Sequence, residues 1–408
     1  PDKGLYFPER IPEIDKDIID NPESMSPEEM CFRVIRPYVG GEIPDAELQE
    51  IVAQTVNFPI PLVPVEPRIS ALEMFHGNTL AFKDIGARFM SRCLGYFVKG
   101  NKQEVTVLVA TSGDTGGAVA DGFLGVEGIR VVILYPKGKV SNVQEKQLTT
   151  LGGNISAIEV DGTFDDCQRM VKQAFADAEI RQHCFLTSAN SINVARWLPQ
   201  QFFYLMAWRQ WKDKAHPPVI AVPSGNFGNI CAGLLAMKSG LPVSHFIAAC
   251  NANDVVPSFM RTHEYVPKPS VATISNAMDV GDPSNFVRIL QLFGNNLVAL
   301  SEKLSAVSVT DEDTRRAISS LEKQHGYLPD PHGAVGYVAL KSYLEKHPGA
   351  AGLFAETAHP VKFFDVVEPV IGRNVPLPET IASIMHKEKV AVSMNADYQS
   401  LRSYLQGL

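Results

Sequence analysis

The strongest constraint on the fold is a set of short apolar runs, two of which end in a Gly-rich turn that leads into a helical stretch. The runs are Val105–Ala110, Ile129–Leu134, Ile155–Val160 and Val219–Val222. Continuous apolar runs of this length are typical of buried strands. Because strands that alternate with helices favour right-handed crossovers, the sequence predicts an α/β fold built on open, mostly parallel sheets.

The chain is long enough to predict more than one lobe. Its 408 residues exceed what one hydrophobic core of usual size contains. Residues 1–60 predict an N-terminal helical domain, because Ser26 and Pro44 stand where a helix start favours such residues. A Pro-rich connection follows it. We therefore expect a two-lobed core over residues 61–408, with about 91–200 forming the smaller lobe.

Composition excludes several classes of function. Lys and Arg total 37 and Asp and Glu total 45, so the net charge is −8, which disfavours nucleic acid and anionic membrane surfaces as partners. Residues 217–237 contain no charge and nearly reach the length of a membrane span. However, Pro223, Gly225 and Asn226 in the middle would be costly in lipid, so we expect a buried strand, a loop and a buried helix.

The cysteines and the start of the chain indicate an ordinary cytoplasmic protein. The six cysteines are scattered, without a CxxC pair or the Cys and His spacing of a zinc site. They predict reduced core residues and no metal site. Pro1–Gly4 has no apolar character, so no signal segment is expected there.

The loop 223–229, with the sequence Pro-Ser-Gly-Asn-Phe-Gly-Asn, is the first of three candidate sites. Gly225 and Gly228 allow close approach of the backbone, and the N–H groups at the following helix start can bind an anion. A dinucleotide fingerprint is missing here, and a P-loop is missing from the whole sequence. From spacing alone, a phosphate site and a tight turn without a ligand remain equal alternatives.

Two further segments have similar potential. The small hydrogen-bonding residues of Ser112–Ala118 can hold a carboxylate, or the turn can be a helix start capped by Asp114 or Thr115. In His76–Asp84, Lys83 is either a buried amine able to form a Schiff base or a solvated helix lysine paired with its neighbour. Nothing local decides between these readings.

Taken together, nine segments spread over nearly the whole chain form an ordered set of motifs. They are Gly4–Glu9, His76–Asp84, Ser112–Ala118, Leu134–Leu151, Gly162–Cys167, Ser188–Gln200, Pro223–Asn229, Gly281–Phe286 and Glu356–Phe363. In this order they resemble the threonine synthases, pyridoxal 5'-phosphate (PLP) enzymes of the tryptophan synthase β-like family, which have the two-lobed fold type II. Two departures are visible: Asn78 replaces the family's usual Pro, and Val194 replaces its usual Trp.

The resemblance implies a cofactor site. Lys83 is expected to form the Schiff base with PLP and to shuttle protons during catalysis. The residues expected to hold the cofactor phosphate are Gly225, Asn226, Phe227, Gly228 and Asn229. Thr357 is the expected hydroxyl partner of the pyridine nitrogen, although without the resemblance it would be interpreted as a helix cap. A neutral hydroxyl there does not enforce a pyridinium, which suits elimination and replacement.

The resemblance also implies substrate contacts. The candidates for the substrate carboxylate or the cofactor hydroxyl are Ser112, Asp114 and Thr115. The candidates for the substrate phosphate are Arg196, Arg88 and Lys146. Asn190 and Asn193 are candidates for further hydrogen bonds to the ligand. Each of the cations can equally be a surface or salt-bridge residue, and each asparagine can fix its own loop. His332 and His359 stand beside Gly and Pro, where structural roles are at least as plausible as catalytic ones.

The implied reaction converts O-phospho-L-homoserine and water into L-threonine and phosphate, the last step of threonine biosynthesis, with a small-molecule substrate as the expected partner. The enzyme would be a PLP-dependent carbon–oxygen lyase that acts as a monomer or a homodimer. The nearest alternative is another fold type II enzyme, such as a threonine or serine dehydratase or a sulfhydrylase. An alternative from a different class is a nucleotide-binding or regulatory α/β module without catalysis, which would be colourless.

Overall fold

The structure, a computed structural model, describes residues 5–100 and 103–408. The strands, in chain order, are β1 Leu62–Glu66, β2 Ile69–Glu73, β3 Val105–Ala110, β4 Ile129–Pro136, β5 Ile155–Asp161, β6 Phe185–Thr187, β7 Val219–Pro223, β8 His245–Cys250, β9 Leu304–Ser308, β10 Gly352–Glu356 and β11 Val392–Asn395.

The α-helices, in chain order, are α1 Lys16–Asp20, α2 Pro27–Val39, α3 Asp45–Thr55, α4 Lys83–Val98, α5 Asp114–Phe123, α6 Asn142–Thr149, α7 Phe164–Ala176, α8 Ala178–His183, α9 Val194–Trp197, α10 Gln201–Gln210, α11 Gly228–Lys238, α12 Val255–Thr262, α13 Phe286–Leu292, α14 Leu297–Lys303, α15 Asp311–His325, α16 Pro331–Lys346, α17 Phe364–Ile371, α18 Glu379–Met385 and α19 Tyr398–Gln406. Short 3-10 helices occupy Leu198–Gln200, Asn276–Met278 and Pro360–Phe363.

The chain divides into two compact units. The first unit contains the residues up to Gly77 and Trp197–Val375. Its sheet has the strand order β1-β2-β10-β7-β8-β9, in which β1 runs antiparallel to β2 and the other pairs are parallel. The central strands β7, β8 and β10 are buried along their whole length, because α16 packs against them and helices cover the sheet.

The second unit contains Asn78–Arg196 and Pro376–Leu408. Its sheet is wholly parallel, with the order β11-β5-β4-β3-β6. Side chains alternate between two hydrophobic clusters along β3: Val107 and Val109 pack in the cluster with α4 and α5, while Leu108 packs in the cluster with α7 and α19. The carboxyl ends of all five strands therefore lie at one edge of this sheet, where α/β proteins bind ligands.

The structure confirms the predicted α/β class and most of the predicted elements. Strand β3 has the predicted bounds, and β4 and β5 extend slightly further. Ser26 caps α2 by accepting a hydrogen bond from the N–H of Glu29. The uncharged residues 217–237 form β7, a loop and most of α11. Within the described residues, none of the helices combines the length and apolarity needed to span a bilayer.

Some predictions about organisation stay predictions. Helices α1 to α3 belong to the first unit, and the boundary at residue 60 and the smaller lobe at about 91–200 remain untested. Pro1–Gly4, where no signal segment was expected, lies outside the described residues. All six cysteines are buried and free, which agrees with their expected place in the core.

Sequence reasoning did not identify the last strand. The short strand β11 pairs in parallel with β5 at the edge of the second sheet. Its side chains are largely exposed, so it has no run of buried apolar residues to mark it. An ion pair from Lys389 to Glu145, at 2.7 Å, and a second to Glu159 hold the preceding segment.

The close approach of β10 and β7 can be tested at Gly352. A Cβ there would lie 2.3 Å from the carbonyl oxygen of Val219, whereas Gly349, three residues earlier, faces open space. We expect Gly352→Ala to destabilise the protein by about 1–3 kcal/mol, because the neighbouring backbone must move. Gly349→Ala should leave stability nearly unchanged. Thermal unfolding followed by circular dichroism compares them, and equal midpoints would contradict this packing.

Candidate active site

In the first unit, the loop 223–229 joins the buried strand β7 to helix α11. Its key residue is Phe227, which stands just before the helix with a left-handed backbone, φ +62° and ψ 12°. This conformation is unfavourable for a residue other than glycine. Burial of the Phe227 ring, which packs edge-on against Phe286 with ring centroids 5.8 Å apart, offsets the cost. The packing of Phe227 against Phe286 therefore stabilises this conformation of the loop.

This shape leaves backbone donors without a protein partner. In the described part of the chain, the N–H groups of Gly225, Phe227 and Gly228 donate no hydrogen bond. A Cβ on Gly225 would lie 2.6 Å from the Cα of Met278, so only glycine fits at this position. Unpaired N–H groups at the start of an 11-residue helix form an anion site, and the loop thus fits a phosphate group.

Asn229 contributes differently from the expectation of a direct contact. Its side-chain amide donates to the carbonyl of Pro223 at 2.8 Å, and its side-chain oxygen accepts from the N–H of Ile230 at 2.9 Å. The side chain thus closes the turn on itself. The predicted contact of this residue with an anion stays a prediction, and it would come from the backbone N–H, in keeping with the helix-start argument.

Thr357 lies at the same sheet edge as the loop 223–229. It follows β10, the parallel neighbour of β7, and is 6% exposed. The backbone next to Thr357 is held by Asp330, because the N–H of Ala358 donates to its buried carboxylate at 3.3 Å. Asp330 also caps α16 by accepting from the N–H groups of His332 and Gly333.

The two histidines near Thr357 serve the framework. His332 lies 2.5 Å from the carboxylate of Asp330 through Nδ1, and its Nε2 accepts from the N–H of Ala277 at 3.2 Å, which places the ring proton on Nδ1. His359 caps the 3-10 helix Pro360–Phe363 by accepting from the N–H of Val361. Burial, followed by the nearby charge of His76, lowers the pKa of His359 to about 4.

Glu356, the residue before Thr357, is a fully buried acid. One carboxyl oxygen accepts from the N–H of Asp330 at 2.5 Å. Burial, followed by the negative charge of Asp330, raises the pKa of Glu356 well above its ordinary range. A Cβ on Gly333 would overlap the second carboxyl oxygen, so glycine is needed there to make room for the acid. Burial therefore disfavours the charged form of Glu356.

In the second unit, Lys83 is the first residue of α4. Its side chain is 15% exposed, and its Nζ lies 3.9 Å from the carboxylate of Asp114. The alternative of a solvated lysine paired with Asp84 does not describe this arrangement. Asp84 instead accepts hydrogen bonds from the backbone and the hydroxyl of Thr79. Burial raises the pKa of Asp84 to about 6.

Asp114 is oriented by a side chain from another segment. Its second oxygen accepts from the side-chain amide of Gln144 at 3.0 Å. A Cβ on Gly113, which has φ +131°, would lie 2.4 Å from the Gln144 side chain, so the residue before Asp114 must be glycine. The hydroxyl of Thr111 accepts from the N–H groups of Gly113 and Gly116. The turn is therefore closed by Thr111, and the alternative of a helix start capped by Asp114 or Thr115 does not describe it.

The asparagines nominated from sequence hold their own loop. The side-chain amide of Asn190 donates to the carbonyl of Ala110 at 2.9 Å, and that of Asn193 donates to the carbonyl of Ser188 at 3.0 Å. The first bond ties the loop after β6 to the end of the adjacent strand β3. Asn190 thus lies at the same sheet edge as the Ser112–Ala118 loop, and its role toward a ligand stays a prediction.

The three cations nominated for the substrate phosphate each have a protein partner. Arg196 is 2% exposed and donates to the carbonyl of Ala189 at 2.5 Å, and burial lowers its pKa to about 10. Arg88 is also buried, 3.7 Å from the carboxylate of Asp121. The side chain of Asn78, at the position of the family's usual Pro, binds the same carboxylate at 3.0 Å. Lys146 donates to the carbonyl of Lys387 at 2.5 Å.

Three residues of this arrangement were not found from the sequence. Asp330 and Gln144 had local signals, since Asp330 precedes a proline at a helix start and Gln144 completes a capping box with Ser141. Those signals predict helix ends and give no indication of the contacts to Ala358 or Asp114. Glu356 had no local signal, because an acid at the end of a buried strand is unusual.

Comparisons with known families place these features in context. A family profile described as pyridoxal-phosphate dependent enzyme matches residues 60–352. Two further profiles match the flanking parts: threonine synthase N terminus over residues 1–56, and threonine synthase, C-terminal, over residues 333–405.

Individual relatives agree with these profiles. The chain is 45% identical over 405 residues to a threonine synthase of Haemophilus influenzae, covering 99% of this chain and 93% of that protein. It is also similar to the crystal structure of threonine synthase from Escherichia coli, with a TM-score of 0.93, 43% identity and coverage of 100% and 94%. The PLP-bound threonine synthase from Brucella melitensis gives a TM-score of 0.92, 32% identity and the same coverage.

The buried acid beside Thr357 gives a pH-dependent prediction. Since the pKa of Glu356 is raised, the folded protein holds this proton more tightly than the unfolded chain, and stability falls as the pH rises above the ordinary carboxyl range. We expect Glu356→Gln to remove this loss, which amounts to about 1.4 kcal/mol for each pH unit in which the folded and unfolded states differ in protonation.

The measurement is the thermal unfolding midpoint of wild type and Glu356→Gln across a pH series. The wild type should lose stability relative to the variant as the pH rises. Glu345→Gln, on the exposed side of α16, is the matched control and should follow the wild type. A difference that does not change with pH would show that Glu356 is an ordinary carboxylate.

Proposed function

The chain belongs to the threonine synthase family of pyridoxal-phosphate dependent enzymes, and from this membership we propose that it converts O-phospho-L-homoserine and water into L-threonine and phosphate. The observation that supports this most directly is the match of both threonine synthase end regions in addition to the shared PLP core. Other fold type II enzymes, such as dehydratases and sulfhydrylases, are therefore not favoured.

The residues of the site fit the cofactor. Lys83 would hold the cofactor aldehyde through its amine, which is mostly buried beside a carboxylate. The N–H groups of the loop Gly225–Asn229 would hold the cofactor phosphate, and the hydroxyl of Thr357 would be the partner of the pyridine nitrogen. When bound, PLP withdraws electrons and acidifies the hydrogen on the substrate Cα.

Proton transfer falls to Lys83. With substrate bound, the free Nζ of Lys83 would take the proton from Cα and return protons to the carbon chain. A long, flexible side chain can reach Cα, Cβ and Cγ in turn. Asp114, 3.9 Å away, stabilises Nζ while it holds a proton, and the hydrogen bond from Gln144 keeps that carboxylate in place. In the net reaction Cβ loses a proton and gains the hydroxyl of water. Cγ gains a proton as its C–O bond breaks, and phosphate departs with the bonding electrons and takes up the proton left by water.

Substrate recognition uses polar groups of the second unit. The groups that contact the substrate carboxylate or the cofactor hydroxyl belong to Ser112, Asp114 and Thr115, and those for the substrate phosphate and further hydrogen bonds belong to Arg88, Lys146, Arg196, Asn190 and Asn193. Their individual roles are open to substitution experiments. The substrate is a small molecule, the location is cytoplasmic, in keeping with six free, buried cysteines, and the active form is a monomer or a homodimer.

Lys83→Ala tests the cofactor assignment. We expect turnover to fall by at least about 10²-fold, because the proton carrier is lost. Borohydride reduction should add the cofactor mass to the Lys83 peptide of the wild type and leave the corresponding variant peptide unmodified. Lys99→Ala, at the exposed end of the same helix, is the control and should retain both signals. Undiminished turnover of Lys83→Ala would refute its role.

Substrate assays test the reaction itself. Protein loaded with PLP should release phosphate and L-threonine in equal amounts from O-phospho-L-homoserine. Rapid release of ammonia from threonine, with no reaction of the phosphorylated substrate, would support a dehydratase instead.

A further inference from the structure

We propose that an N-terminal strap, defined as Leu5–Glu9, positions the phosphate-binding loop through two buried residues, Arg288 and Asn285. The inference rests on the proposed function, since it requires the loop 223–229 to bind the cofactor phosphate. It gives roles to two conspicuous sequence segments, the beginning of the chain and Gly281–Phe286, which the catalytic assignment does not use.

The strap is held by its backbone. The carbonyl oxygen of Tyr6 accepts two hydrogen bonds from Arg288, at 3.2 Å from Nε and 3.0 Å from Nη2. The Tyr6 side chain itself is 82% exposed, so the ring has little part in this contact. The next residue, Phe7, stacks on Trp197 with ring centroids 6.1 Å apart. The strap is thus fixed at two successive residues.

Arg288 connects the strap to the interior of the first unit. Its side chain is 2% exposed, and its guanidinium lies 4.6 Å from the centre of the same Trp197 ring. A further nitrogen, Nη1, donates to the side-chain oxygen of Asn285 at 2.6 Å. Because the guanidinium is planar, the bonds to Tyr6 and the bond to Asn285 fix each other's direction.

Asn285 in turn forms hydrogen bonds to the phosphate-binding loop. Its backbone N–H and its side-chain amide both donate to the carbonyl oxygen of Asn226, at 3.3 Å and 3.1 Å. The N–H of Ser284 donates to the Asn226 side-chain oxygen at 2.6 Å. Two donors on one carbonyl fix the orientation of the peptide group between Asn226 and Phe227.

The orientation of this peptide group sets the direction of one N–H donor of the loop, that of Phe227. In a planar trans peptide the C=O and N–H bonds point in opposite directions. Since Asn285 holds the carbonyl of Asn226, the N–H of Phe227 is directed away from Asn285. That N–H is one of the donors without a protein partner. Asn285 is thus a positioning residue for the anion site, and Arg288 and the strap hold Asn285.

The test compares PLP with pyridoxal, which lacks the phosphate, on apo-protein. Asn285→Asp keeps an acceptor for Arg288 but loses the amide donor and places a carboxylate oxygen against the Asn226 carbonyl. We expect PLP affinity to fall about tenfold, and pyridoxal affinity to stay the same. Arg288→Met, which keeps an apolar contact with Trp197, should weaken PLP binding in the same selective way.

The matched control is Asn296→Asp. Asn296 caps α14 through its side-chain oxygen, a role that aspartate fills equally well, and it adds the same charge elsewhere in the first unit. Its affinity for PLP should equal that of the wild type. Dissociation constants are measured by absorbance titration at a temperature where circular dichroism shows every variant to be folded. If Asn285→Asp does not fold, Arg288→Met provides the same comparison.

The outcomes separate the two proposals. A selective loss of PLP affinity supports the positioning role. Unchanged PLP affinity, or an equal loss for PLP and pyridoxal, overturns it, because a merely structural role would not depend on the phosphate. If the wild type binds pyridoxal as tightly as PLP, the phosphate assignment of the loop itself fails, and the positioning role fails with it.

Discussion

The candidate phosphate site depends on one local constraint, the left-handed turn at Phe227 that leaves backbone N–H groups unpaired at the start of α11. A chain with a net charge of −8 does not attract phosphate by its overall field, and unpaired N–H groups at a helix start are neutral donors suited to the proposed phosphate site. Gly225 makes the turn possible, burial of Phe227 holds it, and Asn285 orients it.

The buried acids of this protein differ in their partners, and the partners indicate whether an acid has a structural role or a proposed catalytic one. Asp330 accepts several backbone N–H groups as a helix cap, whereas Glu356 and Asp84 have raised pKa values because burial disfavours their charge. Asp114 instead has a cationic partner, Lys83, and a neutral donor, Gln144. An acid stabilises a proton on a nearby amine, and this suits the proposed role of Lys83 as a proton carrier.

Much of the fold and part of the site could be predicted from sequence, for a physical reason. Strands β3 and β7 and their Gly-rich turns are specified by contiguous residues, so apolar runs and glycines reveal them. The partners of those turns are distant: Gln144 lies 30 residues from Asp114, and Arg288 lies 282 residues from Tyr6. Local patterns give no indication of such contacts. Lys83 remained ambiguous alone, because its burial depends on tertiary structure.

The most direct test of the phosphate-binding turn is ³¹P NMR of the PLP-loaded protein over a pH series. A free phosphate ester loses its second proton at about pH 6, and its ³¹P resonance moves with that ionisation. Hydrogen bonds from backbone N–H groups favour the more highly charged form. A single resonance that stays at the dianion position across this range is the predicted result. A resonance that titrates as in free PLP would contradict the claim that the loop encloses the cofactor phosphate.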